Sequence, residues 1–359
     1  MTQPTLFSSY TLGQVTLKNR AVMAPMTRSR ATGNVPNELM ARYYAQRAEA
    51  GLIVTEGTSP SPDGLGYARI PGLSNDAQVA GWRLVTRAVH EVGSRIFVQL
   101  MHTGRVGHPD NLPAGGRVLG PSAVASGGKM YVDGKGELAQ PAPEEMTAAD
   151  IERAIESFAQ AGDRAIAAGF DGVELHGANG YLINQFLDTG ANRRTDAWGG
   201  SVENRIRFAV SVAERVASRI GGDRLGIRVS PYGAFNGMLS EDAGVEELHT
   251  ALAREMARVG LAYMHVVDHQ SLGAPEVKPS VKRKIREAFR GTLVLSGGYD
   301  LARANADLAE GKGELVAFGR PFLSNPRLLS RLREGTPLAA PDFATFYTPG
   351  EKGYTDYAG

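Results

Sequence analysis

The sequence predicts an α/β fold, a (β/α)8 TIM barrel built by residues 1–359 as a single domain, and three observations carry that expectation. Short apolar runs recur eight times, each followed by an amphipathic stretch of about 10 to 20 residues. The runs are apolar throughout instead of alternating, as in parallel strands whose outer face is covered by helices. A doubly wound open sheet, the structural competitor, normally carries G-x-G-x-x-G after an early strand. The nearest approach, Gly64-Leu65-Gly66, meets Arg69 where the third Gly belongs and follows Pro60 and Pro62, so it reads as a loop.

An N-terminal segment with strand-like Val15 and Leu17 comes first. Barrel strands are then expected at Ala21 to Met26, Leu52 to Glu56, Ile96 to Met101, Gly172 to His176, Leu225 to Ser230, Tyr263 to Val267, Leu293 to Ser296 and Leu315 to Gly319. Helical periodicity lies near residues 36–50, 76–92, 147–168, 201–219, 241–258, 279–289, 300–311 and 324–334. Asn75-Asp76, Thr147, Ser201, Ser240, Asp300 and Ser324 stand where a side-chain oxygen would cap the first free amides of a helix. Gly51, Gly93, Gly169 and Gly260 are expected to close four of these helices. Residues 103–146, rich in Gly and Pro with a hairpin expected around Met130 to Leu138, follow strand three and are read as a long loop capping the barrel mouth.

Composition removes several function classes. At 42% hydrophobic and 21% charged the chain is globular, and with no cysteine it has neither disulfides, thiolate metal centres nor a Cys nucleophile. The 39 Lys+Arg against 38 Asp+Glu leave a formal charge of +1, so no global field favours nucleic acid or an anionic membrane, and small molecules are the expected partners. Residues Met1 to Gln14 lack a basic stretch leading into an apolar one, and no window approaches a spanning run of about 18 apolar residues; a cytoplasmic location is the expectation. The basic stretch Lys278 to Arg290 carries Val281, Ile285, Ala288 and Phe289 at helical spacing and reads as a solvated helix face.

In such barrels chemistry sits where strands end and βα loops begin. The polar residues there are Thr27, Gln99, His176, Asn179 and Arg228, with the turns Ser296-Gly297-Gly298 and Phe318-Gly319-Arg320 after the last two strands. Those turns occupy the usual phosphate corner, where glycine lets backbone N–H groups approach and Arg320 adds a planar donor fork. Thr27, Gln99 and Arg228 supply a hydroxyl, an amide and a fixed cation, a set suited to the edge of a planar heterocycle such as a flavin. A nucleotide base or sugar phosphate would use similar groups.

His176-Gly177-Ala178-Asn179-Gly180-Tyr181 is the richest segment: imidazole and carboxamide three residues apart at a strand end can both donate to one oxygen, as an oxyanion hole does. Tyr181, protonated at neutral pH, is placed to give up a proton. The blander alternative makes His176 a core residue, Asn179 a turn former and Tyr181 packing.

Over nearly its whole length the chain resembles the Old Yellow Enzyme family of FMN-dependent ene-reductases. The likeness lies in Leu17-Lys18-Asn19-Arg20, Ala24-Pro25-Met26-Thr27-Arg28, Gly51-Leu52-Ile53-Val54-Thr55-Glu56-Gly57, Gln99-Leu100-Met101-His102-Thr103-Gly104-Arg105 and the run from Gly172 to Leu182. It continues through Asn192 to Arg205, Arg228-Val229-Ser230-Pro231, Ala317-Phe318-Gly319-Arg320-Pro321 and Glu351 to Tyr357. The resemblance implies tightly bound, non-covalent FMN held by Pro25, Met26, Thr27, Gly57, Gln99, Arg228, Gly298, Gly319 and Arg320, with NADPH or NADH as reductant. It implies enone or nitro substrates held through oxygen by His176 and Asn179, proton donation by Tyr181, and aromatic walls at Tyr67 and Tyr347. Thr27 places the chain with the Thr-bearing branch.

Two positions depart from the pattern: Met101 stands where many relatives have Trp, and Thr348-Pro349-Gly350 replaces a Gly-rich turn. If Gln99 faces the ring, Met101, two residues on, faces the same pocket. Asn192 to Arg205 reads as a structural brace. Rival functions are a reductase of nitrate esters or nitroaromatics at the same site, and a flavin- or phenol-binding barrel that senses. A metal-dependent hydrolase is disfavoured: no His-x-His follows strand one, and His265 and His269 read as packing and loop residues.

Overall fold

The computed structural model describes residues 3–239 and 244–358. Eight parallel strands close into a barrel: β1 (Ala21–Met23), β2 (Leu52–Val54), β3 (Arg95–Leu100), β4 (Gly172–Gly177), β5 (Leu225–Val229), β6 (Tyr263–Val267), β7 (Thr292–Ser296) and β8 (Leu315–Phe318), with β8 pairing back onto β1. Every expected strand is present. The first is shorter than expected because Pro25 has no amide to extend the ladder; Ala24 makes the last bond, to the Phe318 carbonyl.

The helices are α1 (Glu38–Gln46), α2 (Asp76–Glu91), α3 (Ala148–Ala167), α4 (Leu182–Leu187), α5 (Val202–Ile220), α6 (Val245–Val259), α7 (Pro279–Phe289), α8 (Leu301–Ala309), α9 (Arg320–Ser324) and α10 (Leu328–Glu334). Asn75, Thr147, Ser201 and Asp300 each accept a backbone N–H three residues on, and Thr147 with Asp150 completes a reciprocal capping box. Ser240 lies outside the described residues. Ser324 is not a cap: Pro326 interrupts the expected 324–334 helix, so Ser324 ends α9 and bonds the Ala339 carbonyl instead. Gly93, Gly169 and Gly260 follow helices in the left-handed region, whereas Gly51 does not. Gly51 is required for close approach, since a Cβ there would lie 2.1 Å from the Asn19 carbonyl oxygen.

Even-numbered positions of β1, β4 and β5 point into the barrel, as do odd-numbered positions of β3 and β6. At the lower end the interior holds Val22, Leu52, Phe97, Tyr263, Val294 and Leu315, closed by Leu12 and Leu17. Those two come from an antiparallel hairpin, Tyr10–Leu12 with Val15–Leu17, that plugs the barrel floor. Gly172 and Gly226 are glycines because a Cβ at either would strike the rings of Phe97 or Tyr263. At the upper end the expected hairpin after β3 forms from Lys129–Val132 and Gly136–Ala139, and its Met130 packs with Met101 and Tyr181 at the mouth. The block from Asn192 braces this loop: Arg194 donates to the Pro121 and Met146 carbonyls, and Asn192 to those of Phe186 and Trp198. Opposite, residues 343–355 strap across the mouth, held by the buried Arg28, Arg30 and Arg47, which donate to carbonyls of Gly353, Phe346 and Tyr354 among others. No helix among the described residues is long and apolar enough to cross a membrane.

Candidate active site

A cavity of about 620 Å³ opens at the upper end of the barrel. Its wall contains Pro25, Met26, Thr27, Tyr67, Gln99, Met101, His176, Asn179, Tyr181, Arg228, Gly297, Gly298, Gly319, Arg320 and Tyr347, so of the positions singled out from sequence only Gly57 lies outside it. Gly57 backs Met101 instead: a Cβ there would sit 2.4 Å from the Met101 sulfur.

His176 is the penultimate residue of β4, on an inward position. Its Nδ1 accepts the Ala178 amide at 3.3 Å, which leaves the proton on Nε2. Burial, followed by the Arg228 cation, holds its pKa well below 6.5, so at neutral pH it is an uncharged donor. Asn179 follows in the left-handed region (φ 61°), a conformation Asn tolerates, with its amide bonded to Ser230 Oγ at 3.0 Å. Its Oδ1 lies 2.7 Å from Nε2 of His269; the amide oxygen can only accept, so His269 donates and the Asn179 NH2 group is left for a ligand. Burial brings the His269 pKa down to about 4, which keeps it neutral. Two side-chain donors thus share one cavity with Tyr181. The Tyr181 hydroxyl is 3.0 Å from that of Tyr67, its ring packs edge-on to His176, and burial raises its pKa above 10.

Arg228 is 6% exposed, and its Nε is buried with no hydrogen-bond partner among the described residues. A guanidinium in that state calls for an acceptor in the cavity. Gln99 gives one of its two Nε2 hydrogens to Glu174 at 2.8 Å, and its carbonyl oxygen remains for a ligand. Gly297 and Gly298 take positive φ, and a Cβ on Gly297 would lie 2.2 Å from the Asp268 carbonyl oxygen. Arg320 is exposed at the rim beside Phe343. A planar ring edge with donors and acceptors, carrying an anionic tail toward the two glycine turns, fits this wall.

The model of the NADH:flavin oxidoreductase / NADH oxidase family, whose members use FMN, matches residues 5–339. The chain belongs to this family. It is therefore an FMN-dependent NAD(P)H oxidoreductase of the Old Yellow Enzyme type. Morphinone reductase has the same fold, with a TM-score of 0.96 at 43% identity over 99% of this chain and 96% of that one. The Old Yellow Enzyme homologue of Zymomonas mobilis superposes with a TM-score of 0.95 at 39% identity over 99% of both chains. Among curated proteins, a chanoclavine-I aldehyde reductase of Penicillium roqueforti is 43% identical over 98% of this chain and 96% of its own length. A probable flavin mononucleotide-dependent alkene reductase of Leishmania infantum is 40% identical over 95% of this chain and 93% of its own.

Three residues of this site were not among those expected from the sequence. Glu174, wholly buried, accepts from Gln99, Tyr263 and His265. His265 and His269, expected as packing and loop residues, are hydrogen-bonded to Glu174 and Asn179. Strand parity was the available signal for two of them: Glu174 lies two residues before His176, and His265 two after Tyr263, each on an inward face.

Proposed function

We propose that this flavin oxidoreductase reduces the activated C=C bond of α,β-unsaturated ketones, aldehydes or nitroalkenes, acting in the cytoplasm. The observation that carries the reading is the pair of uncharged donors, His176 Nε2 and Asn179 Nδ2, in one cavity with the protonated Tyr181. Family membership and the alkene-reducing relative support it.

Thr27, Gln99 and Arg228 would hold the flavin ring, with Pro25 and Met26 alongside and Gly57 supporting from behind Met101. Gly297, Gly298, Gly319 and Arg320 would take the phosphate. FMN, when bound there, would supply the redox chemistry, a hydride relay between NADH or NADPH and the substrate β-carbon. His176 and Asn179 donate to the substrate's carbonyl or nitro oxygen, and because both are fixed by other hydrogen bonds they need no reorganisation as charge grows there. That polarisation makes the alkene electrophilic, so isolated alkenes do not react. Tyr181 gives its proton to the α-carbon, and the Tyr67 hydroxyl at 3.0 Å can donate to the phenolate left behind. Tyr67, Met101 and Tyr347 shape the space above the ring.

The purified protein should be yellow, with about one FMN per chain as expected of a single site. Under argon it should bleach with NADPH or NADH and recover its colour on addition of cyclohexenone, with cyclohexanone as product. A flavin that bleaches but is reoxidised only by oxygen would sink the ene-reductase reading while leaving the family intact.

A further inference from the structure

Beneath the cavity lies a carboxylate to which neither the expected residues nor the mechanism gives a task. Glu174 is 0% exposed, inward on β4, among strands β3, β5 and β6. Removing a carboxylate from water costs several kcal/mol unless donors replace the lost hydration. Three do: Gln99 Nε2 at 2.8 Å to Oε1, with the Tyr263 hydroxyl and His265 Nδ1 each at 2.9 Å to Oε2. Burial opposes ionisation, but His265 and Arg228 outweigh it and keep the Glu174 pKa below its ordinary value.

Two consequences follow from that geometry. A carboxamide offers two hydrogens at one end and a carbonyl at the other; with one Nε2 hydrogen anchored on Glu174, the carbonyl end is the one turned toward a ligand. Arg228, directly opposite His176 and His265 in the strand register, has Glu174 as the one carboxylate acting on its charge among the described residues. Glu174 accepts no hydrogen bond from Arg228, so the guanidinium is balanced in charge while its donors stay unspent among the described residues.

We propose that Glu174 is a positioning residue for the flavin: it turns the Gln99 carboxamide so that its oxygen faces the imide N–H of the ring, and it offsets the Arg228 charge. The proposal rests on FMN binding in this cavity. Without Glu174 the amide can turn over, presenting a donor where the ring also has a donor. Without its charge, Arg228 acts on the ring unopposed and favours the more negative, reduced form.

The test uses apoprotein reloaded with FMN or with N3-methyl-FMN, which lacks the imide hydrogen, and reads dissociation constants and the midpoint potential. Wild type should prefer FMN over the methylated form by about tenfold, the value of one well-made hydrogen bond. Glu174→Leu should reduce that preference to about twofold or less. Glu174→Gln, which keeps an acceptor for Gln99 but not the charge, should preserve the preference and shift the midpoint potential in the positive direction. Glu174→Gln also covers the case in which Glu174→Leu does not fold. An unshifted potential in Glu174→Gln, or a full preference retained in folded Glu174→Leu, would overturn the proposal with FMN binding still in place. Wild-type protein that takes up no FMN would overturn the parent reading as well.

Discussion

The two ends of the same eight strands obey different rules. At the lower end Val22, Leu52, Phe97, Val294 and Leu315 meet Leu12 and Leu17 of the plugging hairpin, and the fit is one of volume, with Gly172 and Gly226 making room for aromatic rings. At the upper end Gln99, Glu174, His176, Arg228 and His265 are just as buried but are specified by hydrogen bonds and charge. Tyr263 joins the two, its ring in the lower cluster and its hydroxyl on Glu174. Stability and chemistry are thus separable along a single strand, and a substitution should move one or the other according to its height in the barrel.

The largest effect expected is on chemistry at the top. His176→Ala and Asn179→Ala should each slow enone reduction by about 10²- to 10³-fold, the loss of one oxyanion donor. Asn179→Ala also places a Cβ-bearing residue without a polar side chain in the left-handed region, at a cost of roughly 1 kcal/mol in stability. Stopped-flow traces should show nicotinamide-driven bleaching less affected than reoxidation by enone. If both variants lost stability in urea as severely as rate, the two ends of the barrel would not be separable.

The lower end should behave in the opposite way. Leu17 is fully buried in the interior cluster, and Leu17→Ala should destabilise the fold by about 2–3 kcal/mol, near the low end for such truncations because a short surface hairpin can settle into part of the space. Turnover per bound FMN should be unchanged. A variant that kept its stability but lost turnover would show that the plug communicates with the mouth.

The same division explains what the sequence disclosed. Parallel strands buried on both sides read as apolar runs, so all eight emerged, and so did helices opened by Asn75, Thr147, Ser201 and Asp300. Helix α4, one and a half turns long, is too short to show a period, and the 324–334 pattern concealed a break at Pro326. Donors at strand ends were legible as residue types, but their tasks depend on partners far along the chain: Gln99 is 75 residues from Glu174, His265 91 from Glu174, and His269 90 from Asn179. No local pattern encodes such a pairing, which is why His265 and His269 read as packing and loop residues.

The smallest effect expected, and the one that sharpens the comparison most finely, is at Met101, where volume rules operate inside the polar end. Its side chain is 1% exposed, packed with Leu65, Ile70, Met130 and Tyr181, yet it borders the cavity. From behind it is held by Gly57, whose missing Cβ leaves no slack. A Trp at this position cannot retreat toward Gly57, so its indole must either push Met130 of the capping hairpin outward or advance into the cavity; a flexible thioether avoids both. Met101→Trp should therefore lower kcat/KM for 3-methylcyclohexenone about tenfold more than for cyclohexenone, the low end of the penalty expected for crowding one methyl group. FMN content should be unchanged, with a stability cost of about 1–3 kcal/mol from overpacking. Equal losses on the two substrates would mean that the indole displaces the hairpin instead, and that Met101 belongs with the volume-governed part of the barrel despite its height.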